Sequence, residues 1–113
     1  MRTVSIKIGG IELEYFSGEI LETYERVDRA ILSKSEVVTE VDILIYQYYF
    51  TELRTKLHKV KESLRLKKDM SLPVKPGYLV VLLKFFRSQD SIIAQMIVSR
   101  LDQALVNQLK LSN

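Results

Sequence analysis

Apolar residues recur along this chain with two different periods. Val4, Ile6 and Ile8 alternate with Ser5 and Lys7, and Ile11, Leu13 and Tyr15 alternate with Glu12 and Glu14. A period of two is the mark of a half-buried strand. Gly9-Gly10 separates the two runs, and glycine readily takes the positive φ of a two-residue hairpin turn. Pairing through such a turn sets Ile8 against Ile11, Ile6 against Leu13 and Val4 against Tyr15 on one face. Lys7 meets Glu12 on the other face. The pattern predicts a β-hairpin over residues 1–16.

Beyond Ser17-Gly18 the period lengthens. Ile20, Tyr24, Val27 and Ile31 are spaced 4, 3 and 4, one face of a helix expected over 19–34. Glu19, Glu22 and Glu25 place negative charge in its first turns, where the helix dipole favours it. The most regular pattern follows. Ile43, Tyr46, Phe50, Leu53, Leu57, Val60 and Leu64 are spaced 3, 4, 3, 4, 3 and 4, a heptad seam on a helix expected over 40–67. Thr39 is its expected N-cap, with Asp42 three residues on as an acidic form of the capping box. A helix of this length, roughly 40 Å at 1.5 Å per residue, outreaches a compact domain of this size. Its first half is apolar nearly all round and predicts burial by several elements. Its second half is apolar on the seam alone and predicts one neighbour.

Two prolines and a glycine mark 68–77 as a connection. The apolar run Tyr78–Phe86 fits either a buried helix or a buried strand, and Pro76 just before it favours a helix over 78–87. Ile93, Ile97, Leu101 and Leu105, with Met96 and Ala104 alongside, form the face of a last helix over 90–110. The fold class expected is α+β and mostly α: one domain with an N-terminal β-hairpin packed on a roughly four-helix bundle around a long central heptad-patterned helix.

Length and composition narrow the chemistry. The chain has 113 residues, 47% hydrophobic and 27% charged, which suits one soluble globular domain and not a disordered chain. It has no cysteine and one histidine, so disulfides, thiol nucleophiles, thiolate metal sites and multi-histidine cages are excluded. Charge is unevenly placed. Residues 1–50 carry five Lys/Arg against nine Asp/Glu, and residues 51–113 carry twelve against five. The run Arg54–Lys68 holds seven bases and one acid, Glu62. At 100° per residue, Arg54, Lys61, Arg65 and Lys68 fall in one stripe beside the seam, with Lys56 and Lys67 on the other flank. Bases in such places pair with acids on a neighbouring helix, for which the acidic segment Glu19–Asp28 qualifies in the same chain or another copy. They also suit phosphate contacts.

No catalytic constellation emerges. Gly9-Gly10 lacks the flanking residues of a phosphate loop. His58 lies on the basic helix next to Leu57, with Glu62 one turn on, as a surface side chain. Glu12 and Glu14 read as the outward polarity of a strand. Glu36, Glu40 and Asp42 lack the partners of a metal site. Tyr46, Tyr48, Tyr49 and Phe50 could stack on bases, but aromatics in a seam are mostly core; Tyr48 stands off the seam. No catalytic, cofactor or metal residues are expected, and the protein is not expected to be an enzyme. Met1–Ile6 has no apolar core of a signal peptide, and no segment approaches the roughly 20 apolar residues of a membrane span. The expected location is the cytoplasm.

The opening hairpin followed by an acidic amphipathic helix resembles the start of small phage tail-assembly chaperones. The likeness is confined to that opening, has no diagnostic motif, and carries over no residue. It adds an assembly chaperone to the functions considered, beside an inhibitor of a host protein.

The function expected from the residues is a non-catalytic interaction or assembly protein. It self-associates, first as a homodimer, through Ile43, Tyr46, Phe50, Leu53, Leu57, Val60 and Leu64. The alternative is a small nucleic-acid-binding regulator that uses Arg54, Lys61, Arg65 and Lys68.

Overall fold

The structure, a computed structural model, describes residues 3–33, 37–64 and 69–112. Its elements run β1 (Val4–Gly9), α1 (Gly10–Ser33), α2 (Glu40–Tyr48), a π-helical turn (Tyr49–Leu53), α3 (Arg54–Leu64), β2 (Asp69–Val74), α4 (Pro76–Arg87) and α5 (Ile92–Ser112). Since α2, the π turn and α3 are continuous, four helical rods pack with one two-stranded antiparallel sheet. The α+β, mostly helical class expected from the sequence is the one observed.

The strand partner differs from the one the local pattern predicts. β1 pairs with β2, with Val4 opposite Val74, Ile6 opposite Leu72 and Ile8 opposite Met70. Ile6, Ile8, Leu72 and Val74 are buried on one face, while Ser5, Lys7 and Ser71 face out. Pro73 sits opposite Ser5. A proline without an N–H is tolerated there because every strand of a two-stranded sheet is an edge. The segment 68–77, expected as plain connection, therefore supplies the second strand.

Residues 11–15 are helix, not strand. Leu13, Phe16, Ile20 and Val27 share the buried face of α1 with Ser17 and Thr23, so helical periodicity begins well before residue 19. The alternation of Ile11, Leu13 and Tyr15 is incidental: Ile11 is 71% exposed. Gly10 opens the helix without the positive φ of a hairpin turn. The hairpin would have left seven helix-compatible residues out of α1; the remote pairing keeps them and still satisfies β1.

Glu12 is consequently not an outward strand residue. It is buried in the first turn of α1, where the helix dipole favours a carboxylate. Arg100 on α5 donates to both of its oxygens at 3.0 Å, Nε to Oε2 and Nη2 to Oε1. Glu14 remains exposed.

The apolar run before Phe86 is helix α4. Pro76 occupies its first turn, where the missing N–H costs nothing. Leu79, Leu82, Leu83, Phe85 and Phe86 are buried, and Phe86 stacks on Phe16 with ring centres 5.2 Å apart. α5 packs against α4, β1 and α1, and Ala94, Ile97, Val98, Leu101 and Ala104 are its buried residues. Arg87 and Asp102 join the two helices at 2.9 Å. Met96, expected beside the buried face of α5, is 45% exposed.

Candidate functional site

The long rod α2–α3 carries the residues singled out by the sequence. Its start is as expected: Thr39 Oγ1 accepts from the Asp42 amide at 3.1 Å, and the Thr39 amide donates to Asp42 Oδ2 at 3.0 Å. The capping box is complete. Asp42 also pairs with Arg26 of α1 at 3.2 Å. That contact reverses the expected polarity, in which α1 would supply acids and the long helix bases.

The π turn decides where the seam points. Upstream, Ile45 and Tyr48 are fully buried; from the turn onward Leu53 is fully buried, and Leu57 and Val60 are buried. On an uninterrupted α-helix, Leu53 would stand about 80° round from Ile45 at 100° per residue. One extra residue accommodated in the wider turn returns the two to a common face. Within the turn, the Thr51 hydroxyl donates to the Gln47 carbonyl at 2.8 Å, a back-bond typical of threonine where a helix is distorted.

The heptad seam is thereby split. Leu53, Leu57 and Val60, predicted to meet a second molecule, lie in the core of their own chain. The burial that selects them comes from α1 and β2. Ile43, Tyr46 and Phe50 are rotated off the core face. Ile43 is 42% exposed, Phe50 is 64% exposed, and Tyr46 is half-buried. Tyr46 stacks on Tyr24 of α1 at 4.8 Å, and Tyr24 also meets Tyr49 at 4.8 Å. The Tyr46 hydroxyl reaches Asp28 at 3.4 Å, and its pKa is raised, first by desolvation and then by that carboxylate. The side chain of Leu64 is outside the described residues.

A deletion tests this account. Removing exposed Thr51 takes out one residue and should let the rod run as an unbroken α-helix with the same buried face. Thr51del is expected to fold with parental helicity by circular dichroism and a Tm close to the parent's. Loss of cooperative unfolding would show that the extra residue is needed for packing.

Tyr48, off the seam, is not available to stack on bases. It is fully buried and stacks on Tyr78 at 4.1 Å. Its hydroxyl has no hydrogen-bond partner, and burial, aided by the Glu52 carboxylate, pushes its pKa up. Glu52 lies within the π turn and pairs with Lys75 and, at 3.8 Å, with Lys56. The bond to Glu52 raises the Lys75 pKa. Lys56, on the far flank of the basic run, is thus answered within the chain.

Of the predicted basic stripe, Arg54 is exposed on α3. The Lys61 side chain, Arg65 and Lys68 lie outside the described residues. Arg54 and His58, one turn apart, line a cavity of about 210 Å³ with Ser17, Leu21, Tyr49 and Leu57. A larger cavity of about 500 Å³ lies where α1, the start of α2 and the end of α4 meet; its charged lining is Glu19, Glu22, Arg26, Asp42 and Lys84. Neither was legible in the sequence, because both join residues from separate helices.

Protein-family profiles, characterised proteins and solved structures contain no match to this chain. The geometry therefore carries the functional argument. The local hairpin on which the likeness to phage tail-assembly chaperones rested is not formed. Among the described residues, no three His, Cys, Asp or Glu side chains gather where a metal could be held. No described helix is long and apolar enough to cross a membrane.

Proposed function

We propose that this protein is a non-catalytic assembly module that self-associates as a homodimer through the outward half of its heptad seam. The observation that carries the reading is the exposure of Ile43 and Phe50, seven residues apart on one rod, at 42% and 64%. They present apolar surface over two turns of the rod, while Tyr46 between them is half-buried against Tyr24 of α1.

The order of residues along this face favours a second copy as the partner. Ile43, Gln47 and Phe50 follow one another at spacings of 4 and 3. The midpoint of Ile43 and Phe50 lies beside Gln47. An antiparallel copy about a twofold axis there places Ile43 against the partner's Phe50. Such self-complementarity is what a twofold interface requires.

Burying a phenylalanine contributes roughly 1.5–3 kcal/mol, and symmetry counts it twice. Phe50→Glu should therefore weaken association by about three orders of magnitude, at 1.4 kcal/mol per tenfold. The expected mass by light scattering at micromolar concentration is twice 13.1 kDa, and for Phe50→Glu the monomer mass with an unchanged thermal melt. Apolar contacts of this kind persist in high salt. A parent protein that scatters as a monomer at every concentration tested overturns the proposal.

A second reading, a nucleic-acid-binding regulator, is favoured by the run Arg54–Lys68. It requires binding that falls steeply with salt as counterions are released, and Arg54→Glu should then abolish a gel shift seen at low salt.

A further inference from the structure

The cavity of about 210 Å³ between α1 and α3 differs in chemistry from the larger one. Six residues line it, and none is an acid: Ser17, Leu21, Tyr49, Arg54, Leu57 and His58. Arg54 and His58 are four residues apart on α3 and so project from the same side of that helix. Neither has an ion-pair partner among the described residues. Ser17 faces them from α1. It is 6% exposed, and its hydroxyl has no hydrogen-bond partner. A buried helical serine ordinarily satisfies its hydroxyl, and this one lies unpaired just beneath the wall of a cavity that two nitrogen donors line. The larger cavity offers no such agreement, because its carboxylates and its cations oppose one another.

We propose that this cavity binds the phosphate group of a phosphomonoester. A guanidinium presents two parallel N–H donors suited to a phosphate edge. Imidazole supplies an N–H in either protonation state, and the unpaired serine hydroxyl supplies a further donor when its χ1 turns it toward the cavity. Leu21 and Leu57 add apolar wall beside these donors, while Arg54 and His58 stand at the exposed rim, within reach of a ligand from solvent. The size fits a head group. At about 210 Å³ the cavity is smaller than the roughly 300–1,000 Å³ pockets that enclose whole ligands, so the remainder of the molecule stays outside. A terminal phosphate, with three free oxygens, uses donors on two walls better than a carboxylate or a backbone diester does. The proposal does not depend on self-association, since Ser17 is buried away from the exposed stripe.

Amide-resolved NMR titration of the full chain tests it, with inorganic phosphate, phenyl phosphate, acetate, and a dinucleotide with and without a 5′-phosphate. Inorganic phosphate and phenyl phosphate should give saturable shifts at Ser17, Arg54 and His58, and the 5′-phosphorylated dinucleotide should bind more tightly than its unphosphorylated form. Arg54→Gln should weaken binding about tenfold or more, the usual worth of a charge-assisted hydrogen bond. Ser17→Ala should weaken it several-fold while melting no earlier than the parent, because it removes an unpartnered buried hydroxyl. The assignment is overturned if phosphate produces no saturable shift, or if both variants bind as the parent does. It is equally overturned if acetate or the unphosphorylated dinucleotide binds as tightly as its phosphate counterpart.

Discussion

Arg100→Ala is expected to destabilise the protein by about 3 kcal/mol, whereas Glu12→Gln, which cuts the same ion pair from the other side, should cost only about 1 kcal/mol. The difference comes from where each charge goes when its partner is lost. The Glu12 side chain is 6% exposed and the Arg100 side chain 40%. Without Arg100, the Glu12 carboxylate stays buried with only the helix dipole to answer it. Without the Glu12 charge, Arg100 swings into water and keeps its hydration. The double variant should therefore be more stable than Arg100→Ala alone, a coupling that urea melts of the four proteins would read directly. Equal and small costs for the two single variants would mean that the pair is a surface contact and does not anchor α1 to α5.

Phe86→Ala should have the largest effect of all. Phe86 is fully buried. It stacks on Phe16 at 5.2 Å, meets Phe85 edge-on at 5.0 Å and stands 6.4 Å from Tyr15. It therefore ties α4 to the first turns of α1. Truncating a buried phenylalanine costs about 3–5 kcal/mol from lost transfer energy and the cavity left behind. Small domains hold roughly 5–15 kcal/mol in total, so the variant sits near the edge of folding. At about 4 °C per kcal/mol for a chain near this size, Tm should drop by roughly 12 °C or more. A drop of a few degrees would show that α4 can shift to fill the space.

These two sites differ in how far the sequence exposes them. Phe86 stands in a continuous apolar run, and its burial follows whether that run is helix or strand. The run Val4–Ile8 likewise had to bury one face, and Thr39 and Asp42 had to start a helix, because capping is settled within four residues. Glu12 gave no such signal. Its alternation with Leu13 mimicked a strand, and its partner lies 88 residues away. The seam Ile43–Leu64 was read correctly as helical but as pointing one way. Its first three residues face outward because the π turn rotates them, and a heptad count contains no trace of that turn. The cavity at Ser17, Arg54 and His58 was hidden for a similar reason. Each residue looks ordinary within its own helix, and only the packing of α1 on α3 sets the three side chains around one space.

The periodicities, the cap and the charge asymmetry belong to the sequence alone, because each depends on contacts within a few residues or on the mean balance of apolar and polar groups. The choice of Asp69–Val74 as the partner of the first strand, the burial of Glu12 against Arg100 and the outward turn of Phe50 were decided by tertiary structure. In each, a local option of similar quality was available. The selection came from the larger apolar area buried when distant segments pack together, a quantity that no short window of sequence contains.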